Sequence, residues 1–283
     1  MYKRQGLTIE EKTAAALREN RELLRNISPE RIFSELKGIL CARGAGEMLL
    51  AFPEVFFVIL PELAPMRGFD TRRPQNHCWD VWGHTAHAVD AIAPESVLRL
   101  TMLFHDSGKP ETFRYDAQAG FGRFPGHPAV SARIADAALR ALRCDNAARE
   151  RVVTLVENHE MRTGHGKKDL RRLLAKIGEK NMRDLLLVRR ADAAAHAPEA
   201  AVRLTALADE DERILHEITA ERGCLHVKDL AVSGNDLLAL GLKPGAAVGE
   251  TLSRLLDLVL DEEVPNEKGA LLAAARKEMQ THE

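Results

Sequence analysis

Aromatic residues are scarce: two Trp, two Tyr and nine Phe make up 5% of the 283 residues. Runs of β-branched residues are few as well, so the material for a large sheet is missing, while Ala, Leu, Arg and Glu abound. An all-α fold is expected. Cysteine is sparse too. Cys41, Cys78, Cys144 and Cys224 lie far apart and form no Cys-x-x-Cys pair, which argues against a disulfide framework and a thiolate zinc site and fits a reducing compartment. No long hydrophobic run is present. The longest, residues 48–60, is broken by Pro53 and Glu54 and is too short to span a bilayer. The opening "MYKRQGLTIEE" lacks the apolar core of a signal peptide, so a cytoplasmic protein without a membrane partner is expected. Neither sign of charge dominates: 40 Lys and Arg against 42 Asp and Glu leave a net charge of -2. No global field draws the chain to nucleic acid, and any such surface must be local.

What is present reads as a succession of helices. The spacing predicts helices over residues 10–25 and 30–40, with Ser28 as N-cap and Pro29 at the first helical position. Residues 61–76 form a connecting loop with a domain boundary near 68. Helices follow over 79–93 and 95–107, the second ended by Gly108 and Pro110. "RYDAQAGFGRFPGH" is a loop or short hairpin. Further helices run from Pro128 to about 142 and from Asp145 or Asn146 to His159. Asp169 caps a short helix to 177, a longer one spans 181–196, and an acidic one reaches about 222. Three more close the chain, with Asn266 capping the last.

Histidines and aspartates recur in order on separate helices: His84, then His105 and Asp106, then His127, His159 and Asp192. Leu100, Leu103 and Phe104 belong on a buried face, and a His-Asp pair beside them needs a reason to be there. Imidazole nitrogens and carboxylate oxygens without thiolate suit one or two divalent ions: Mn, Fe, Co, Ni, Mg or Zn. His84, His105, Asp106 and Asp192 suffice for one ion. His127 and His159 make room for a second, with Asp106 as the bridge, and such a pair lowers the pKa of a bound water. Gly108 would free the backbone to present Lys109 to a phosphate. The other histidines, His77, His87, His165, His196, His216, His226 and His282, have no place in this order and are expected in loops or on the surface.

The motifs "VWGHT", "LFHDSGK", "FPGHPAVSA", "VENHE" and "RRADAAAH" resemble the HD superfamily of metal-dependent phosphohydrolases. Ser107 stands where that family usually has an aliphatic residue. The resemblance implies a metal-dependent hydrolase acting on a small phosphoester, a phosphomonoester or 2′,3′-cyclic phosphodiester at an RNA end, with Asp106 and Lys109 in the chemistry.

A second resemblance covers roughly residues 7–280. "ISPERIFSEL", "ILPELAPMRGFD", "HCWDVWGHTAHAVDAI" and above all "GNDLLALGLKPGAAVGETLSRLLDLVLDEEVPNEKGALL" are similar to the C-terminal body of bacterial CCA-adding tRNA nucleotidyltransferases. That likeness implies a helical neck at 1–68, a multi-helical HD domain at 69–200 and a helical tail at 201–283 that hold tRNA. The Gly-Gly-x-x-Arg-Asp turn of that family's catalytic head is not found before residue 7, so nucleotide addition by this chain alone is not expected. Asp209 and Asp211 form an Asp-x-Asp, but within an acidic helical run that reads as a solvated face. A headless protein or a fragment would both fit.

For RNA, residues 162–190 hold ten Lys and Arg (Arg162, Lys167, Lys168, Arg171, Arg172, Lys176, Lys180, Arg183, Arg189, Arg190) against Asp169, Glu179 and Asp184, a local excess of seven. Lys167, Lys168, Arg171 and Arg172 are the candidate phosphate contacts for tRNA or an RNA 3′ end. In the acidic tail, Gly245 and Gly249 would let a backbone approach phosphate. Two functions stay open: the hydrolase, and a non-catalytic tRNA-binding body.

Overall fold

The computed structural model of the chain describes residues 9–71, 78–160, 166–221 and 223–281. Among them, helices account for the regular structure apart from one two-stranded hairpin, as the composition predicts. No disulfide joins the four cysteines, and no helix among the described residues is long and apolar enough to cross a membrane. Arg162, His77, His165 and His282 lie outside the described residues.

By their contacts the residues fall into two compact units, 1–161 with 183–208, and 162–182 with 209–283. The first holds residues 1–68 and most of 69–200, whereas 162–182 fall in the second. It opens with α1 (Glu11–Glu19), followed by a 3-10 turn at Arg21–Asn26, where the sequence suggests one uninterrupted helix. α2 (Pro29–Leu40) starts at Ser28 and Pro29 as expected and buries Phe33, Leu36 and Leu40 at one-face spacing. The apolar run at 48–60 folds as α3 (Ala45–Ala51) and α4 (Pro53–Ile59), with Pro53 in the first turn, where a missing N–H costs nothing.

The segments that carry the ordered histidines come next. α5 (Val81–Ala91) is capped by Asp80, whose Oδ1 accepts from Gly83 N at 2.6 Å while Oδ2 accepts from Gly68 N at 2.6 Å. One carboxylate thereby fixes both the helix start and the preceding loop. α3 packs on α5 at Gly46, where a Cβ would meet Ala86 O at 2.2 Å. α6 (Ser96–Phe104) is buried at every position from Val97 to Phe104. Its polar members find partners: Thr101 Oγ1 donates to Val97 O at 2.8 Å, and Arg99 donates to Ala93 O and Asp90 Oδ1, each at 3.3 Å. After the single turn α7 (Lys109–Thr112), β1 (Arg114–Asp116) and β2 (Phe121–Arg123) pair antiparallel with Arg114 opposite Arg123. α8 (His127–Ala141) and α9 (Asn146–Asn158) form an antiparallel pair, the latter capped by Asp145 through Ala148 N.

α10 (Lys167–Ala194) is two helical stretches joined at Gly178, whose φ of +79° only glycine adopts cheaply. That matches the break expected between 177 and 181, although the helix begins at Lys167, so Asp169 sits in its first turn rather than at its cap. α11 (Pro198–Ala220) holds Asp209 exposed and Asp211 buried. The solvated-face expectation therefore holds for Asp209 and fails for Asp211.

The second unit closes with α12 (Gly234–Ala239), α13 (Ala246–Leu260) and α14 (Lys268–Thr281). Its core joins Leu230, Val232, Leu237, Leu255, Leu271 and Ala275. Ser233 and Asp236 cap α12 reciprocally. Asn266 does not cap the last helix. Its amide bridges residues 229–231 instead, donating to Asp229 O at 2.9 Å and accepting from Ala231 N at 2.8 Å.

Candidate metal centre

All six ordered residues converge within the first unit. His84 lies one turn into α5, His105 directly follows α6, His127 opens α8, His159 directly follows α9 and Asp192 is in the last turns of α10. His84, His105, Asp106, His127 and His159 are buried. Asp192 keeps 28% of its side chain exposed and marks the side of the centre nearest solvent.

Asp106 sits between two groups of imidazoles. Its Oδ2 is 3.6 Å from His84 Nε2 and 3.3 Å from His105 Nε2, and its Oδ1 is 3.4 Å from His127 Nε2 and 3.7 Å from His159 Nε2. Asp192 Oδ1 completes the first group at 2.8 Å from His84 Nε2 and 3.5 Å from His105 Nε2. Two sets of donor atoms thus share one carboxylate, each set within 4.8 Å.

Whether these residues suit an ion can be read from the far side of each ring. His84 Nδ1 meets Ala195 O at 3.2 Å, His105 Nδ1 meets Met102 O at 2.7 Å, His127 Nδ1 meets Phe124 O at 3.2 Å and His159 Nδ1 meets Val156 O at 2.7 Å. A carbonyl oxygen only accepts, so each Nδ1 carries the hydrogen and each Nε2 lone pair is turned inward. This is the outer support that metal-ligating histidines require, and the donor set suits a divalent ion.

Without an ion the charges neutralise one another. Burial disfavours ionised Asp106, but the positive charges of His105 and Lys109 outweigh it and hold the carboxyl well below its usual range. Burial likewise opposes a charge on His105, and Asp106 and Asp192 overcome it, pushing the pKa up to about 10. Burial pushes His84 and His159 down. At neutral pH the proton on His105 does the work of a cation. Since the folded pKa of His105 is raised, its stabilisation is complete below about pH 6.5 and is lost as pH rises through about 10. The metal-free chain is expected to melt at progressively lower temperature over that window, whereas an added divalent ion, which displaces the proton, flattens the slope. Melting curves at several pH values with and without metal test this.

Lys109 is placed differently from expectation. It is buried, its Nζ donating to Asp106 Oδ2 at 2.6 Å, and is not held out toward a phosphate. Gly108 has an ordinary φ of -83°, so its role is close approach. An added Cβ would lie 2.6 Å from His127 O and 2.8 Å from Ser131 N, and its own N–H donates to Ser131 Oγ at 2.8 Å. Gly108→Ala is therefore expected to push α8 and His127 away, costing about 1–3 kcal/mol and weakening metal binding on the His127 side, as thermal melts and metal titration will show. Ser107 satisfies its own hydroxyl at Phe104 O, 2.8 Å away.

The sequence pattern does not include His196. Expected at the surface, it has only 10% of its side chain exposed, and with His84 and Asp192 it forms a third donor group within 4.8 Å. The signal was available: Asp192 and His196 are four residues apart on the helix expected over 181–196, a spacing that puts them on one face.

The basic candidates belong to the second unit, where each pairs with an acid. Lys167 is bonded to Glu221, Lys168 lies 2.8 Å from Asp261, Arg171 reaches Glu221 at 3.2 Å and Glu262 at 2.7 Å, and Arg172 donates to Asp261 Oδ2 at 2.7 Å. Arg171 is buried, whereas Lys168 and Arg172 keep nearly half of their side chains exposed. Gly245, with φ +135°, precedes α13, and a Cβ there or at Gly249 would meet nothing within 4 Å.

Residues 6–66 match the family model "Probable RNA and SrmB- binding site of polymerase A". Residues 129–275 match "tRNA nucleotidyltransferase domain 2 putative", and the chain belongs to that family. It is 35% identical over 236 residues to the CC-adding tRNA nucleotidyltransferase of Thermus thermophilus, covering 81% of this chain and 52% of the relative. With the A-adding tRNA nucleotidyltransferase of Deinococcus radiodurans it shares 30% over 243 residues, 81% of this chain and 54% of the relative. The crystal structure of the Bacillus stearothermophilus CCA-adding enzyme in complex with CTP has the same fold over 99% of this chain and 60% of that one, at a TM-score of 0.64 and 19% identity. The chain spans about half the length of the curated relatives it matches.

These relatives overturn one expectation. They are nucleotidyltransferases, not phosphohydrolases, so the hydrolase reading is withdrawn, and with it the small phosphoester substrate and the catalytic parts given to Asp106 and Lys109.

Proposed function

We propose that this chain is the tRNA-binding body of a nucleotidyltransferase of the CCA-adding kind, and that its imidazole–carboxylate centre holds one or two divalent ions. The observation that carries the first part is the likeness to tRNA nucleotidyltransferases along 81% of the chain, with a family model for an RNA-binding site over 6–66. In this reading residues 1–68 are the neck, 69–200 the domain that carries the centre and 201–283 the tail, and Lys167, Lys168, Arg171 and Arg172 lie on or beneath the RNA surface. A phosphate backbone would take over Lys168 and Arg172 from their carboxylate partners.

The ions would be held by His84, His105, Asp106 and Asp192 on one side and by Asp106, His127 and His159 on the other. Their ligands come from five helical segments distant in sequence, so binding ties those segments together, and the free energy of binding adds to that of folding. Support comes from the four backbone-anchored rings and the shared carboxylate. Titration of the chain with tRNA at several salt concentrations tests the first part. Metal titration followed by elemental analysis tests the second.

A further inference from the structure

We infer that His196 is a further ligand of this centre, serving the ion on the side of His84 and Asp192. The inference rests on the reading of the cluster as a metal centre and extends it beyond the six residues of the sequence pattern.

His196 is likewise anchored to backbone, but it is Nδ1 that lies nearest the carboxylate, 3.8 Å from Asp192 Oδ1. Its Nδ1 meets the carbonyl of Asp192 at 2.8 Å, so Nδ1 carries the hydrogen and the lone pair belongs to Nε2. Its ring packs edge-on against His84, centroids 4.8 Å apart at 82°. One donor atom from each of His84, Asp192 and His196 lies within 4.8 Å of the others. His84 Nδ1 is anchored on Ala195 O, the residue just before His196, so the two imidazoles are fixed to one stretch of backbone. A last-turn histidine that only capped a helix would turn its ring to solvent, but this side chain is largely covered.

With His196, the group around His84 and Asp192 offers two imidazoles and one carboxylate within 4.8 Å of one another. Mg, which prefers oxygen and keeps its waters, is poorly served by paired imidazole nitrogens, whereas Co, Ni, Zn and Fe are well served. The centre is thereby set to take an imidazole-preferring transition ion over Mg.

Co(II) is the probe, because its visible absorption reports on its ligands. Chelator-stripped wild-type chain and His196→Ala are titrated with Co(II), each checked first for an unchanged metal-free melt. His196→Gln replaces the alanine variant should that one melt early. The expected result is a loss of about ten- to a hundredfold in Co(II) affinity, an altered visible band, and restoration of that band in His196→Ala by added imidazole. Wild-type binding of Co(II) with the same affinity and spectrum in the variants would overturn the role of His196 alone. Failure of the wild type to bind any Co(II) would overturn the metal-centre reading as well.

Discussion

Replacing Asp106 by alanine is expected to leave the centre unable to hold either ion, with elemental analysis of the purified variant returning no stoichiometric metal. The magnitude follows from where the two oxygens point. Oδ2 faces His84 and His105, while Oδ1 faces His127 and His159, so one substitution takes a ligand from both sides. No other residue of the cluster has that reach. The variant is also expected to be less stable before any metal is added. Lys109 is buried on Asp106, and leaving a buried charge without its partner costs about 3–5 kcal/mol. Because instability alone could lower metal content, His159→Ala is the control: it breaks only one side, and a stoichiometry that falls by one ion in this variant and to none in Asp106→Ala identifies the bridge. Full metal content in Asp106→Ala would refute the arrangement.

The second large effect is expected in tRNA binding. Changing Lys168 and Arg172 together to glutamate should lower affinity for every tRNA species alike by about tenfold or more at low salt, and should flatten the log–log salt dependence by about 2, one unit for each phosphate no longer neutralised. These two side chains keep nearly half their surface while paired with Asp261, so an incoming phosphate can exchange with that carboxylate. Reversing them also leaves Asp261, whose pKa these two cations draw down to about 2, beside new negative charge. Arg171 separates stability from binding. It is buried between Glu221 and Glu262, so Arg171→Ala is expected to lower the melting temperature of the second unit. Undiminished tRNA affinity in the double variant would move the RNA surface elsewhere.

Where local chemistry decides, the sequence was readable. Pro29 and Asp145 start their helices as their side chains dictate, Gly178 divides a helix, and a low aromatic content foretold the absence of a large sheet. The six metal-ligand candidates could be placed together because their order along the chain forms a pattern. Features that depend on distant segments were not readable. Gly108 exists for the approach of α8, twenty residues away, not for the backbone freedom its identity suggests. A count of charges between 162 and 190 saw an excess of cations, but not that Asp261, Glu262 and Glu221 fold back onto them. Asp211 looked solvated because its neighbours in sequence are acidic, and nothing local announces its burial. His196 belongs to a middle case: its spacing from Asp192 was visible, but it acquires meaning only once α5 brings His84 beside it.

Three helices stop at the candidate metal centre. His105 directly follows α6, His159 directly follows α9, and His196 stands two residues past the end of α10, and each of these rings takes up a backbone carbonyl from the last turn or two, those of Met102, Val156 and Asp192. Helices end in partial negative charge, so α6, α9 and α10 each bring a negative pole to the cluster, against the positive poles of α8, which begins at His127, and of α5, whose first turn holds His84. The scaffold itself is therefore biased, independently of the two aspartates, toward cations and against anions. Since the side-chain charges of the ion-free centre balance, the helix poles decide its preference, and a bound dication is what would make it receptive to an anionic group.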